Sequence, residues 1–127
     1  MPKINVLVVE DEPFLGLNIK QKIESFGHHV IAVVPSGDEA FQIVAEKVPD
    51  LILMDINLEG SLDGMETADS LKERFSVPIL FLTGNLDESH QKKIKDVPSY
   101  RFLPKPFTTE QLRDSISFFL TKPSSTI

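Results

Sequence analysis

Five short runs rich in Val, Ile and Leu recur along the chain: Ile4 to Val9, Val30 to Val34, Leu51 to Met54, Ile79 to Leu82 and, more weakly, Tyr100 to Leu103. Apart from Asn5 in the first and Arg101 in the last, they are apolar throughout rather than alternating, the mark of strands covered on both faces. Segments with helical spacing separate them, so the order is β-α repeated five times. Right-handed crossovers then predict an α/β, doubly wound parallel sheet with helices on both faces. With 127 residues, 41% of them hydrophobic, the chain has material for one such domain and little more.

The helical segments carry their own punctuation. Leu15, Ile19, Ile23 and Phe26 form one apolar stripe that stops at Gly27, a natural helix end. Ser36 with Glu39, Asp63 with Glu66 and Thr108 with Gln111 each have the spacing of a capping box. They open segments whose inner faces are Ala40, Ile43 and Val44; Met65, Ala68, Leu71 and Phe75; and Leu112, Ile116, Phe119 and Leu120. Phe118 points off that last stripe, toward a partner or simply into solvent. The fourth segment, LDESHQKKIKDV, has only Leu86, Ile94 and Val97 to bury and is expected to be the least firmly held. Residues 1–121 are read as the domain and 122–127, with Pro123, as a tail or the start of a linker.

Composition closes several routes. Cys is absent, which excludes disulfides, thiolate metal sites and cysteine nucleophiles. A net charge of -6 argues against direct contact with nucleic acid. The basic stretch Gln91-Lys92-Lys93-Ile94-Lys95 is flanked by acids and reads as a solvated helix face. No apolar run reaches the roughly 18 residues of a membrane span, and the start lacks the layout of a secretion signal. No membrane role and a cytoplasmic location are expected.

In doubly wound sheets, ligands sit beyond the carboxyl ends of the strands. The residues there are Glu10, Asp11 and Glu12 after the first run, Asp55 after the third, Thr83 after the fourth and Lys105 after the fifth. Each has an ordinary reading, since acids stabilise a helix N-terminus and a threonine caps one. Together they are harder to dismiss, because clustered carboxylates disfavour one another's ionisation unless something positive joins them. Oxygen-only donors without Cys or a nearby His point to Mg²⁺ (or Mn²⁺) rather than Zn²⁺. The set suits one operation: Asp55 as nucleophile toward a phosphoryl group, Glu10 and Asp11 holding the metal, Lys105 pairing with the phosphate and Thr83 donating a hydrogen bond to it.

At these residues the chain resembles the receiver domains of two-component response regulators, over about residues 4 to 120. "VLVVEDEP" looks like the family's acidic opening, "LILMDINLEGSLDGME" like its phosphoacceptor strand and loop, "VPILFLTGN" like its fourth strand and "FLPKPF" like its lysine-proline element. The resemblance implies a CheY-like, flavodoxin-like (βα)5 fold with strand order 2-1-3-4-5. It implies a His-to-Asp phosphorelay in which Asp55 is phosphorylated by a sensor histidine kinase or a histidine phosphotransfer protein. Asp11 becomes a direct metal ligand and Glu10 a water-mediated one, with Asp55 and the Asn57 backbone carbonyl completing the metal set. Lys105 and Pro106 are expected to share a cis peptide. Catalysis is limited to Mg²⁺-dependent self-phosphorylation and autodephosphorylation. A switched surface near the fourth helix, fifth strand and fifth helix could also support a homodimer.

The sequence departs from the family's commoner pattern at three places. Glu10 stands where many members have aspartate, the Glu59 to Gly64 loop is one residue longer, and Phe102 fills the switch position often held by tyrosine. Other readings stay in view. A haloacid-dehalogenase-type phosphohydrolase would carry a second aspartate where this chain has Asn57. A degenerate receiver would only bind partners, though Asp11, Asp55, Thr83 and Lys105 are intact. FMN on the same fold would be repelled by the acids after the first strand. No DNA-binding, cyclase or kinase segment follows, so a stand-alone regulator and a receiver from a longer chain are both open.

Overall fold

The computed structural model describes residues 3–58, 60, 62–84 and 87–121. The tail read as 122–127, Glu59 and Ser61 of the long loop, and Leu86 lie outside them. Ten elements alternate along the described chain: β1 (Asn5–Val9), α1 (Pro13–Ser25), β2 (His29–Val34), α2 (Gly37–Glu46), β3 (Leu51–Asp55), α3 (Gly64–Lys72), β4 (Ile79–Thr83), α4 (Glu88–Asp96), β5 (Tyr100–Pro104) and α5 (Thr109–Thr121). The strands form one parallel sheet in the order β2-β1-β3-β4-β5.

Alternation along the central strands divides the core into two layers. Val6, Val8, Leu51, Leu53, Leu80 and Leu82 face α1 and α5, where Ile19, Ile23, Leu112 and Ile116 meet them. Leu7, Val9, Ile52, Met54, Ile79 and Phe81 face the other way, against Ala40 and Val44 of α2, Met65, Ala68 and Leu71 of α3 and Ile94 of α4. The expectation of strands covered on both faces holds for β1, β3 and β4. It fails for β2, where His29 and Val33 are exposed, and for β5, where Arg101, Phe102 and Pro104 are. Those two are the sheet's edges, and an edge strand has neither a second neighbour nor full helix cover.

The polar ends belong to the ladder. Asp55 pairs with Leu82, and Thr83 with Pro104, because strand pairing is made by the backbone and ignores side-chain polarity. The caps sort by quality. Asp63 and Glu66 make a complete capping box, at 2.8 and 3.0 Å. Thr108 and Gln111 bond reciprocally at 3.0 and 2.9 Å. Ser36 accepts the Glu39 N–H at 3.3 Å, but the Glu39 carboxylate accepts from the Ser36 hydroxyl and not from its backbone, so that box is half made. α1 stops at Ser25, and after the Phe26 cap Gly27, with φ +96°, makes the left-handed turn that glycine takes without strain. α3 is shorter than its apolar spacing: it stops at Lys72, and Phe75 packs on the core from beyond the helix.

Candidate functional site

Side chains from three of the strand ends converge. Glu10 leaves the end of β1, where its N–H donates to the Val34 carbonyl at 2.9 Å, and its side chain is almost fully buried. Asp11 follows, half-buried. Asp55 is the last residue of β3 and is 5% exposed. One ligand oxygen from each of Glu10, Asp11 and Asp55 can be chosen so that all lie within 4.8 Å of one another. Lys105 enters from the end of β5; its Nζ donates to Glu10 Oε1 at 3.0 Å and lies 3.4 Å from Asp55 Oδ2.

The backbone sets these positions. Lys105 N donates to the Thr83 carbonyl at 2.7 Å, and Ile56 N to the Leu82 carbonyl at 3.2 Å, so the ladder continues past the strand ends and ties the loops to it. The Asn57 N–H donates to Asp55 Oδ1 at 3.0 Å and fixes one carboxylate oxygen. The Lys105–Pro106 peptide is cis. Thr83 is buried at the end of β4, while Phe102 is 40% exposed on the edge strand.

Burial pushes the Glu10 carboxyl above its ordinary value, and the Asp55 charge pushes it the same way. The bonds from Lys105 and from the Glu12 N–H, 3.1 Å from Glu10 Oε2, hold it down. Three carboxylates against one ammonium leave the group formally negative by two charges, with every candidate donor a hard oxygen. That donor set fits a small divalent cation such as Mg²⁺.

Two features were legible only in part in the residue pattern. Glu12 caps α1: its Oε2 accepts the Leu15 N–H at 2.6 Å, which separates it from the acids that face Asp55. Gly64 opens α3 directly against β3, where an added Cβ would fall inside contact of the Asp55 carbonyl. A glycine just behind a helix cap was the available signal. Gly16 similarly lets α1 approach β2 and Glu10, since a Cβ there would stand 2.9 Å from Val33 Cγ1.

With this geometry in place, comparison with known proteins adds an independent line. Residues 6–117 match the response regulator receiver domain family. The chain is 38% identical over 79 residues to the phyllosphere-induced regulator PhyR of Methylorubrum extorquens, a match covering 61% of this chain and 30% of that protein. It is 24% identical over 117 residues to the transcriptional regulatory protein PdtaR of Mycobacterium tuberculosis, covering 92% of this chain and 57% of the relative. The chain thus spans between about a third and about half the length of these two curated relatives. Among solved structures, the signal receiver domain of a modulated diguanylate cyclase from Desulfovibrio desulfuricans superposes with a TM-score of 0.85 at 34% identity, covering 95% of this chain and 96% of that one.

Proposed function

From the premise that this chain belongs to the response regulator receiver domain family of two-component signalling, we propose that Asp55 accepts a phosphoryl group from a phosphohistidine on a sensor histidine kinase or a phosphotransfer protein. The observation that carries the reading is the meeting of Asp55 with Glu10, Asp11 and Lys105 at the carboxyl edge of the sheet. An Asp55 oxygen attacks phosphorus and the P–N bond to histidine breaks. The imidazole nitrogen leaves with the bonding pair and takes up a proton. Glu10, Asp11, Asp55 and the Asn57 carbonyl would hold Mg²⁺ (or Mn²⁺), which supplies charge neutralisation on the transferring oxygens. Lys105 adds a second positive charge from the end of the edge strand β5, and Thr83 supplies a hydroxyl to one phosphoryl oxygen. Water later hydrolyses the acyl phosphate, so the turnover is that of a signal and not of a metabolic enzyme.

A phosphoryl group adds charge and three acceptor oxygens where one carboxylate stood. Thr83 is drawn toward it, Phe102 turns toward the space vacated, and α4 shifts with them. The altered face of α4, β5 and α5 then meets a partner or a second copy. Phe118 of α5 takes part only after Arg101, whose guanidinium carbon is 3.8 Å from its ring centroid, moves aside. Among the described residues no helix is long and apolar enough to cross a membrane, and the proposed partners place the domain in the cytoplasm.

Incubation with Mg²⁺ and acetyl phosphate, followed by intact mass, tests the reading. A single phosphoryl adduct that disappears in Asp55→Asn and with EDTA is the expected result. Absence of any adduct, from this donor and from a phosphorylated kinase alike, would return the chain to a module that only binds partners.

A further inference from the structure

α4 has an unusual footing. Ile94 is its one buried residue, and the rest of the helix is polar. Ile94 shares its cluster with Tyr100 of β5, which is 4% exposed. The Tyr100 ring meets Phe81 of β4 edge-on, with centroids 5.1 Å apart and planes at 84°. Its hydroxyl donates to Asp69 Oδ1 of α3 at 3.1 Å. The other Asp69 oxygen is 3.9 Å from Lys93 Nζ on α4, an exposed pair that contributes little on its own.

An open groove of about 600 Å³ runs beside the Tyr100 ring, lined by Ile94, Val97, Tyr100, Phe102 and Pro104 among others. Turned outward, the hydroxyl would exchange the carboxylate for water. Turned inward, it makes a charge-assisted bond in a partly buried place, where losing a partner is costly. Burial and the neighbouring carboxylate push the phenol well above its ordinary value, so it keeps the donated proton at any physiological pH.

We infer that Tyr100 and Asp69 form a latch that sets the position of α4: while the hydroxyl-to-carboxylate bond is made, the Tyr100 ring seats Ile94, and when it breaks the helix is released. The latch is a positioning device and touches no reacting atom. Phe81 connects it to the site, since it stands two residues before Thr83 on the same face of β4. A strand end drawn toward a phosphoryl group would press on the contact that holds the ring. This trigger rests on the function proposed above; the latch itself does not.

Amide hydrogen exchange followed by NMR, on wild type, Tyr100→Phe and Asp69→Ala, separates the two. In either variant, exchange at 91–96 should quicken by about tenfold, with β1 and β3 unchanged. The double variant should be no faster than the singles, because both remove one interaction. Unchanged α4 amides, or an equal rise in β3 from global destabilisation, would overturn the latch. Beryllofluoride with Mg²⁺ then tests the trigger: a loosened latch should tighten its binding several-fold. Loosened α4 with unaltered beryllofluoride affinity would show that latch and site are uncoupled and overturn that half. If neither wild type nor variant binds beryllofluoride, the proposed phosphoryl site fails, and the exchange data alone still decide the latch.

Discussion

Gly64 has no side chain because β3 leaves no room for one. Its N–H donates to the Ile56 carbonyl at 2.8 Å, drawing the start of α3 onto the strand end that presents Asp55. In Gly64→Ala the new methyl would meet backbone, which cannot swing aside as a long side chain would. A loss of about 1 to 3 kcal/mol follows from overpacking of this kind, together with weaker cation binding as Asp55 is displaced. Urea unfolding and a Mg²⁺ titration check both, and an unmoved midpoint would refute the close approach. His28 gives a second residue-level prediction. It is buried, its Nδ1 accepts the Ile4 N–H at 3.2 Å, and burial lowers its pKa below the ordinary 6.5. The unfolded chain therefore binds the proton more readily than the fold does, so stability is present above that value and falls as pH drops through it. His28→Asn, which keeps an acceptor but no titration, should flatten the decline in Tm between about pH 7.5 and 5.5. The chemistry at Asp55 and Lys105 was visible as polar residues ending apolar runs. The role of Gly64 was not, because a glycine behind the Asp63 cap does not disclose which backbone lies against it.

At the level of elements, caps and strands differ in how much they disclose beforehand. The Asp63 box is reciprocal and short, while the Ser36 bonds are 3.3 Å and one-sided. Asp63→Ala should therefore cost about 1 kcal/mol and Ser36→Ala about half as much. Matched denaturant curves would show it, and the reverse order would mean that the hydrogen-bond geometry does not decide cap strength. Both boxes could be seen in the sequence as fixed spacings. The cap of α1 was legible only in part: Glu10 to Glu12 could be read as acids stabilising the start of the helix, but not which of them caps it, since glutamate is an uncommon N-cap. Central strands were legible from continuous hydrophobicity. The edges β2 and β5 carry a similar apolar signal although they lie half open, since composition reports what a strand can bury and not what covers it. α4 was legible by its poverty of apolar residues. The Tyr100 to Asp69 bond beneath it spans 31 positions and leaves no local trace.

For the whole molecule, the rigid core and the acidic site are in tension. Core strands, buried on both faces, hold Glu10 and Asp55 where their charges repel, and Lys105 stands among them to offset this. A fold that concentrates like charge at one edge has given up stability there for function. Such a fold should be stabilised by the cation its acids fit, because a ligand that binds only the native state shifts the unfolding equilibrium by mass action. At a concentration about a hundred times its dissociation constant, Mg²⁺ should add about 2.7 kcal/mol. The gain should vanish with EDTA and be largely lost in Asp11→Asn, which removes a charged donor without shortening the side chain. Thermal unfolding across a Mg²⁺ series, with Ca²⁺ or Na⁺ at matched ionic strength as controls, separates this from general screening. A rise in Tm that persists in Asp11→Asn would mean that the cation binds elsewhere. No rise in the wild-type protein would mean that Lys105 already balances the site, and that the three carboxylates are not assembled for a metal.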